Sequence, residues 1–175
     1  MSGPISFCNS PSASISASRA LARASAVASP CPVVRNEIVA NEVTGGRYGT
    51  HFMYSHRNRV TGNRYVGNVV GIFVMYSRDI VLEGNLLAAS AGAAGIGLGL
   101  KDSSAVTARG NALVKNTAGI YLDNSPFEPG TVNEFTGNAI RLCDVGVGFH
   151  ASVDRNVFRA NSLRGVANAE QAMKQ

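Results

Sequence analysis

VTGNRYVGNVVGIFVMYS (60–77), VLEGNLLAASAGAAGIGLGLKDS (81–103) and TARGNALVKNTAGIYLDNS (107–125) are three imperfect copies of one pattern. Each passes through a Gly-Asn pair and closes on a Ser preceded by alternating apolar residues. Anchoring on the Asn of the pair gives a column of Asn36, Asn63, Asn85, Asn111, Asn138 and Asn156, spaced by 27, 22, 26, 27 and 18 residues. Five residues on comes a second column, Asn41, Asn68, Ser90, Asn116, Cys143 and Asn161. A glycine column follows (Gly49, Gly71, Gly95, Gly119, Gly146), then a serine column (Ser55, Ser77, Ser103, Ser125, Ser152). Self-similarity at a period of roughly 20 to 50 residues is the signature of a solenoid.

The residues between these columns show how each repeat folds. Three before the first Asn stand Val33, Val60, Leu82, Ala108, Phe135 and Val153, and two after it Ile38, Tyr65, Leu87, Leu113, Ile140 and Phe158. Thr50, Ile72, Leu98, Ile120 and Val147 precede each Ser by five, and Phe52, Val74, Leu100, Leu122 and Phe149 by three. Apolar residues on alternate positions of short segments are strands with one buried face. Three short strands per repeat predict a right-handed parallel β-helix of three faces and about five coils, over 33–166. Asn suits left-handed turn positions and can bond its equivalents above and below, while Gly is expected to relieve a turn of its Cβ clash. EVTGGRYG (42–49) and PFEPGTVNE (126–134) read as loops leaving the coil.

The ends differ. Residues 1–32 are Ser- and Ala-rich with Pro4, Pro11, Pro30 and Pro32, and read as non-repeat chain or a cap. Residues 167–175 form a tail with room for a short helix. Neither end carries a strong cap, so the chain reads as part of a longer solenoid.

Composition excludes several classes. Charged residues are only 15% and glycines number 19, which fits a turn-rich β protein. The net charge of +5 is spread singly along the chain, with no basic run to hold nucleic acid. Cys8, Cys31 and Cys143 form no zinc-type pair or disulfide framework. No apolar run approaches the roughly 18 residues of a membrane span, and no basic start followed by an apolar stretch marks a secretory signal.

Outward positions carry the chemistry. On the strand before each Ser, one outward column reads His51, Phe73, Gly99, Tyr121, Gly148, and the next Met53, Met75, Lys101, Asp123, His150. His51 and Met53 share a strand face, and Met75 stacks on Met53. One imidazole and two thioethers make a soft ligand set suited to Cu(I), with His56 just past the strand as a fourth candidate. Equally, such exposed side chains serve packing or docking. A carbohydrate-active reading, as a polysaccharide lyase or epimerase, rests on Lys101 beside Asp123 and Asp102, with Arg141 and Asp144 one coil on.

Over GGRYGTHFMYSHRNRVTGNRYVGNVVGIFVMYSRDIVLEGN (45–85) the sequence resembles the NosD family, the periplasmic β-helix proteins of nitrous-oxide reductase maturation. HFMYS (51–55), FVMYS (73–77) and GIYLDNSP (119–126) carry the likeness, which runs from about 33 to 161. The resemblance implies a non-enzymatic, copper-binding periplasmic protein. It implies work with ABC transporter subunits and a copper chaperone to supply copper to apo nitrous-oxide reductase. His51, Met53 and Met75 fall within the matching motif and are the residues the resemblance points to for copper or chaperone contact. This chain is shorter than the family, and its N-terminus is unmatched.

Overall fold

A computed structural model describes residues 14–16, 26–28, 35–150 and 154–172. Among the described residues all regular structure is β, wound as a three-faced parallel β-helix of about six turns. The first sheet stacks β1 (Ser14–Ser16), β3 (Glu37–Val39), β6 (Arg59–Thr61), β9 (Arg78–Glu83), β12 (Ser104–Arg109), β15 (Asn133–Thr136) and β18 (Asn156–Arg159). The second stacks β4 (Glu42–Thr44), β7 (Arg64–Val66), β10 (Leu86–Ala88), β13 (Ala112–Val114), β16 (Ala139–Arg141) and β19 (Ser162–Arg164). The third stacks β2 (Ala26–Ala28), β5 (Tyr48–Met53), β8 (Val70–Met75), β11 (Ile96–Lys101), β14 (Ala118–Asp123), β17 (Val145–Phe149) and β20 (Asn168–Ala172).

The strand register redraws the first and last repeats. Asn41, not Asn36, precedes Asn63 in the ladder, because the Asn41 N–H donates to Asn63 Oδ1 at 2.8 Å. At the other end Asn138 N–H donates to Asn161 Oδ1, not to Asn156. The column is therefore Asn41, Asn63, Asn85, Asn111, Asn138 and Asn161, and each spacing lies between 22 and 27 residues. Asn36 and Asn156 stand at a different corner: Asn36 bonds Asn58, and Asn133 bonds Asn156. With this register Ile38 pairs with Val60 and Phe158 with Phe135. The stretch expected as an inserted loop at 42–49 is β4 and the start of β5. Extra residues enter after Ser90, and after Ser125 as expected, where residues 126–132 form no strand.

The glycine column is also corrected. Gly97, not Gly95, aligns with Gly71 and Gly119, since Leu98 pairs with both Ile72 and Ile120. These glycines lie in strands, not turns. A Cβ at Gly71 would stand 2.5 Å from Gly97 O, and one at Gly119 2.8 Å from Gly146 O. Glycine is needed because a neighbouring backbone passes too close, not for left-handed backbone. Left-handed residues stand at the corners instead, among them Gly62, Gly84, Gly110 and Gly137 just before the Asn ladder and Tyr54, Tyr76, Asp102 and Asn124 just before the serine corner.

The ladders then make physical sense. Asn85 Oδ1 accepts the N–H of Asn63, and Asn85 Nδ2 donates to Val60 O, so one amide satisfies both backbone groups left bare where the coil below turns. Serines do the same at the corner after the third sheet, Ser55 N–H to Ser77 Oγ and Ser103 N–H to Ser125 Oγ; Ser152 lies outside the described residues. Inside, Val60, Leu82, Leu87, Ile72, Leu98, Ile120 and Phe135 are fully buried in one continuous core. Thr50, polar within an apolar column, is satisfied by Tyr65 Oη at 2.7 Å. The tail forms β20 rather than a helix, because its backbone continues the third sheet beside β17. At the other end, β1 and β2 pair with β3 and β5 within the stretch read as non-repeat.

Candidate functional site

The outward face of the third sheet places the soft donors. His51 and Met53 come from β5 and Met75 from β8, and the pairing sets His51 beside Phe73 and Met53 beside Met75. His51 Nε2 lies 3.2 Å from Met75 Sδ. That separation lets both atoms bind one ion through bonds of about 2.0 and 2.3 Å. Met53 and Met75 are half-buried.

The imidazole is covered. Tyr48 stacks on His51 at 4.6 Å between centroids and Phe73 tilts against it at 6.0 Å, leaving His51 only 8% exposed. Glycine at position 99 is what allows this cover: the Phe73 ring occupies the space a Cβ there would take. Burial, and secondarily the Arg47 charge, hold the His51 pKa below its ordinary 6.5. The ring is therefore held in its neutral, metal-binding form. Arg47 itself sits over the Tyr48 ring at 5.3 Å.

His56 does not join this set. The chain turns a corner at Ser55, and His56 Nδ1 accepts the backbone N–H of Arg78 at 3.1 Å. Its position is fixed by that bond and not by His51 or the methionines. Among the described residues no three His, Cys, Asp or Glu side chains gather as a metal cluster. The set around His51 draws on thioether sulfur instead.

Further along the same face the chemistry hardens. Lys101 Nζ donates to Asp123 Oδ2 at 2.8 Å, and His150 Nδ1 lies 3.0 Å from Asp123 Oδ1. Burial works to raise the Asp123 pKa, but the hydrogen bonds and charges of Lys101 and His150 outweigh it and hold the carboxyl low. Tyr121 stacks on His150 at 6.5 Å. Asp102 accepts from Asn124 Nδ2 at 2.5 Å, one position beyond. Arg141 does not reach this cluster, because it ends β16 on the second sheet. The His150–Asp123 contact was missed in the sequence, although the outward column sets the two on consecutive coils. Only side-chain geometry across 27 residues reveals it.

No helix of the described residues is long and apolar enough to cross a membrane. No curated protein and no solved structure matches the chain. A family profile described as "Periplasmic copper-binding protein (NosD)" matches residues 22–175. With a β-helix of this form and most of its length matched, the chain belongs to the NosD family of periplasmic copper-binding proteins.

Proposed function

We propose that this chain serves assembly of the copper centre of nitrous-oxide reductase, holding Cu(I) transiently at His51, Met75 and Met53. Copper is cargo in this reading. The observation that carries it is the 3.2 Å approach of His51 Nε2 to Met75 Sδ on adjacent coils. A neutral imidazole and thioethers are soft donors that suit Cu(I). The aromatic cover of Tyr48 and Phe73 keeps water from the imidazole, and the half-buried methionines stand on the outward face that a donor or acceptor protein would meet. ABC transporter subunits, a copper chaperone and apo nitrous-oxide reductase are the proposed partners. The rigid stacked face would hold donor and acceptor in turn.

Anaerobic Cu(I) titration against a competing chelator tests this. We expect stoichiometric binding by the chain, and loss of at least ten-fold in affinity in Met53→Ala/Met75→Ala, about 1.4 kcal/mol. A folded chain that binds no Cu(I), or a double variant that binds as well, removes copper from this face.

A carbohydrate-active reading is favoured by one observation, the Lys101–Asp123–His150 cluster, in which a carboxylate orients an imidazole beside a cation. Activity on alginate or pectin that Lys101→Ala abolishes would support it. No activity on either polymer would count against it.

A further inference from the structure

The three outward faces differ in kind. The middle of the second sheet is apolar, with Leu86, Ala88, Ala112 and Val114 outward, and the third carries the donors and polar cluster described above. The first is charged, and at its N-terminal end the charges line an open cleft of about 470 Å³. Arg35, Arg57 and Arg59 line it together with Glu37, Asp79 and Val81.

The winding of the chain gathers these cations. Glu37 of β3 pairs with Arg59 of β6, which sets Arg35 and Arg57, two residues earlier, at one corner on consecutive coils. Both have left-handed backbone, φ 73° and 58°, and so do Asp79 and Ala105 on the next two coils. The backbone form therefore belongs to the coil, and only the side chains are particular to the cleft. Like charges on neighbouring strands repel, and an anion between them relieves the cost. The guanidinium donors are also largely unspent. Each guanidinium offers five N–H groups, and among the described residues one hydrogen bond uses them, Arg59 Nη1 to Glu83 Oε2 at 3.0 Å. Arg57 Nε stands 3.9 Å from Asp79 Oδ2, too far for a hydrogen bond, and Asp79 is shared with Arg78 at 3.9 Å. Arg35 enters no ion pair among the described residues.

The lining also says what kind of molecule fits. Guanidinium forks match carboxylate oxygens in pairs. Three arginines against two carboxylates leave one positive charge, which balances a single carboxylate and not a phosphate dianion. Glu37 and Asp79 accept hydrogen bonds, so the rest of the ligand carries donors such as hydroxyls. Val81 offers too little apolar surface for an acyl chain or an aromatic ring. The volume lies in the range of small-molecule sites and exceeds what a lone ion fills.

We propose that this cleft binds a sugar acid, its carboxylate held by Arg35 and Arg57 and its hydroxyls donating to Glu37 and Asp79. The five charged side chains are exposed, so binding is weak and sensitive to salt. The cleft shares no residue with the donors around His51 or with the Lys101–Asp123–His150 cluster, so this inference stands or falls independently of copper and of catalysis.

Isothermal titration calorimetry of the full chain at low salt tests it, with galacturonate, glucose and inorganic phosphate as probes. We expect galacturonate to bind with a Kd of about 1 mM or tighter, and the other two at least ten-fold more weakly. Arg35→Ala with Arg57→Ala should weaken galacturonate at least ten-fold, with an unchanged thermal melt showing that the variant folds. Lys101→Ala should leave the binding as it is, which assigns it to the cleft and not to the third sheet. A folded chain that binds no galacturonate overturns the proposal, and so does binding indifferent to the arginine pair. Phosphate bound as tightly as galacturonate, or glucose bound as tightly, overturns the sugar-acid assignment.

Discussion

At the scale of the residue, single amides and single rings decide both stability and chemistry. Asn85 serves a donor and an acceptor of the coil below, so Asn85→Ala leaves Asn63 N–H and Val60 O bare. Each orphaned buried group costs about 1 to 3 kcal/mol. We expect a loss of about 2 kcal/mol or more in urea denaturation, and a loss below 0.5 kcal/mol would refute the stitching role. His51 offers a pH test. Burial and Arg47 depress its pKa, so the imidazole stays neutral below its ordinary 6.5. Cu(I) binding should persist as pH falls through 6.5 and fail only lower. Arg47→Ala removes one of the two causes and should move that midpoint upward, read by chelator competition across pH; a downward move would contradict the assignment. The same depression means that His51 contributes stability present above pH 6.5 and lost as pH falls through its folded pKa.

The ladder residues were readable in the sequence because each solves the same local problem in every coil. Reading failed where one residue type solves two problems. Asn36 and Asn156 belong to a second asparagine corner, so anchoring on them displaced the first and last coils by five residues. Gly95 replaced Gly97 because extra residues enter between Ser90 and β11. The pairing of Met53 with Met75 was legible because strand register alone sets it. His56 lies past the corner at Ser55, which sequence proximity alone does not show.

At the scale of the element, strands in contact constrain one another more tightly than their sequences suggest. The interior glycines let β5, β8, β11, β14 and β17 approach the second sheet's side chains. Gly71→Ala drives a Cβ to 2.5 Å from Gly97 O, a backbone atom that cannot step aside. Overpacking of this kind costs about 1 to 3 kcal/mol, measurable by chemical denaturation, and a neutral result would show that the coil spacing yields. Outside the same sheet, Gly99→Ala should displace Phe73 and uncover His51, weakening Cu(I) binding while the fold persists. The Asp123 cluster predicts a loss on the same acid side, at lower pH than that of His51. Its carboxyl is held low, so its stabilising contribution is present above the unfolded value of about 3.9 and is lost as pH falls through the folded value. Asp123→Asn should therefore lower the melting temperature near neutrality, and the gap to the parent should shrink in acid. A gap constant with pH would mean that the carboxylate acts by shape alone.

At the scale of the whole molecule, the three faces divide the work: one is charged, one bears the soft donors and one is apolar. Buried positions announced the fold because every coil must fill the same interior. The division of the faces was harder to read, because outward residues are free to differ from coil to coil.

The extra residues after Ser90 and Ser125 bulge at corners without disturbing the register that sets Lys101 on Met75 and Phe149 on Leu122. Distance along this molecule is consequently counted in coils, about 4.8 Å each, and not in residues. Loops can therefore lengthen or shorten at the corners without moving one outward group relative to the next. Loss of a whole coil would instead shift everything beyond it by one fixed step, bringing new neighbours together while leaving the core continuous.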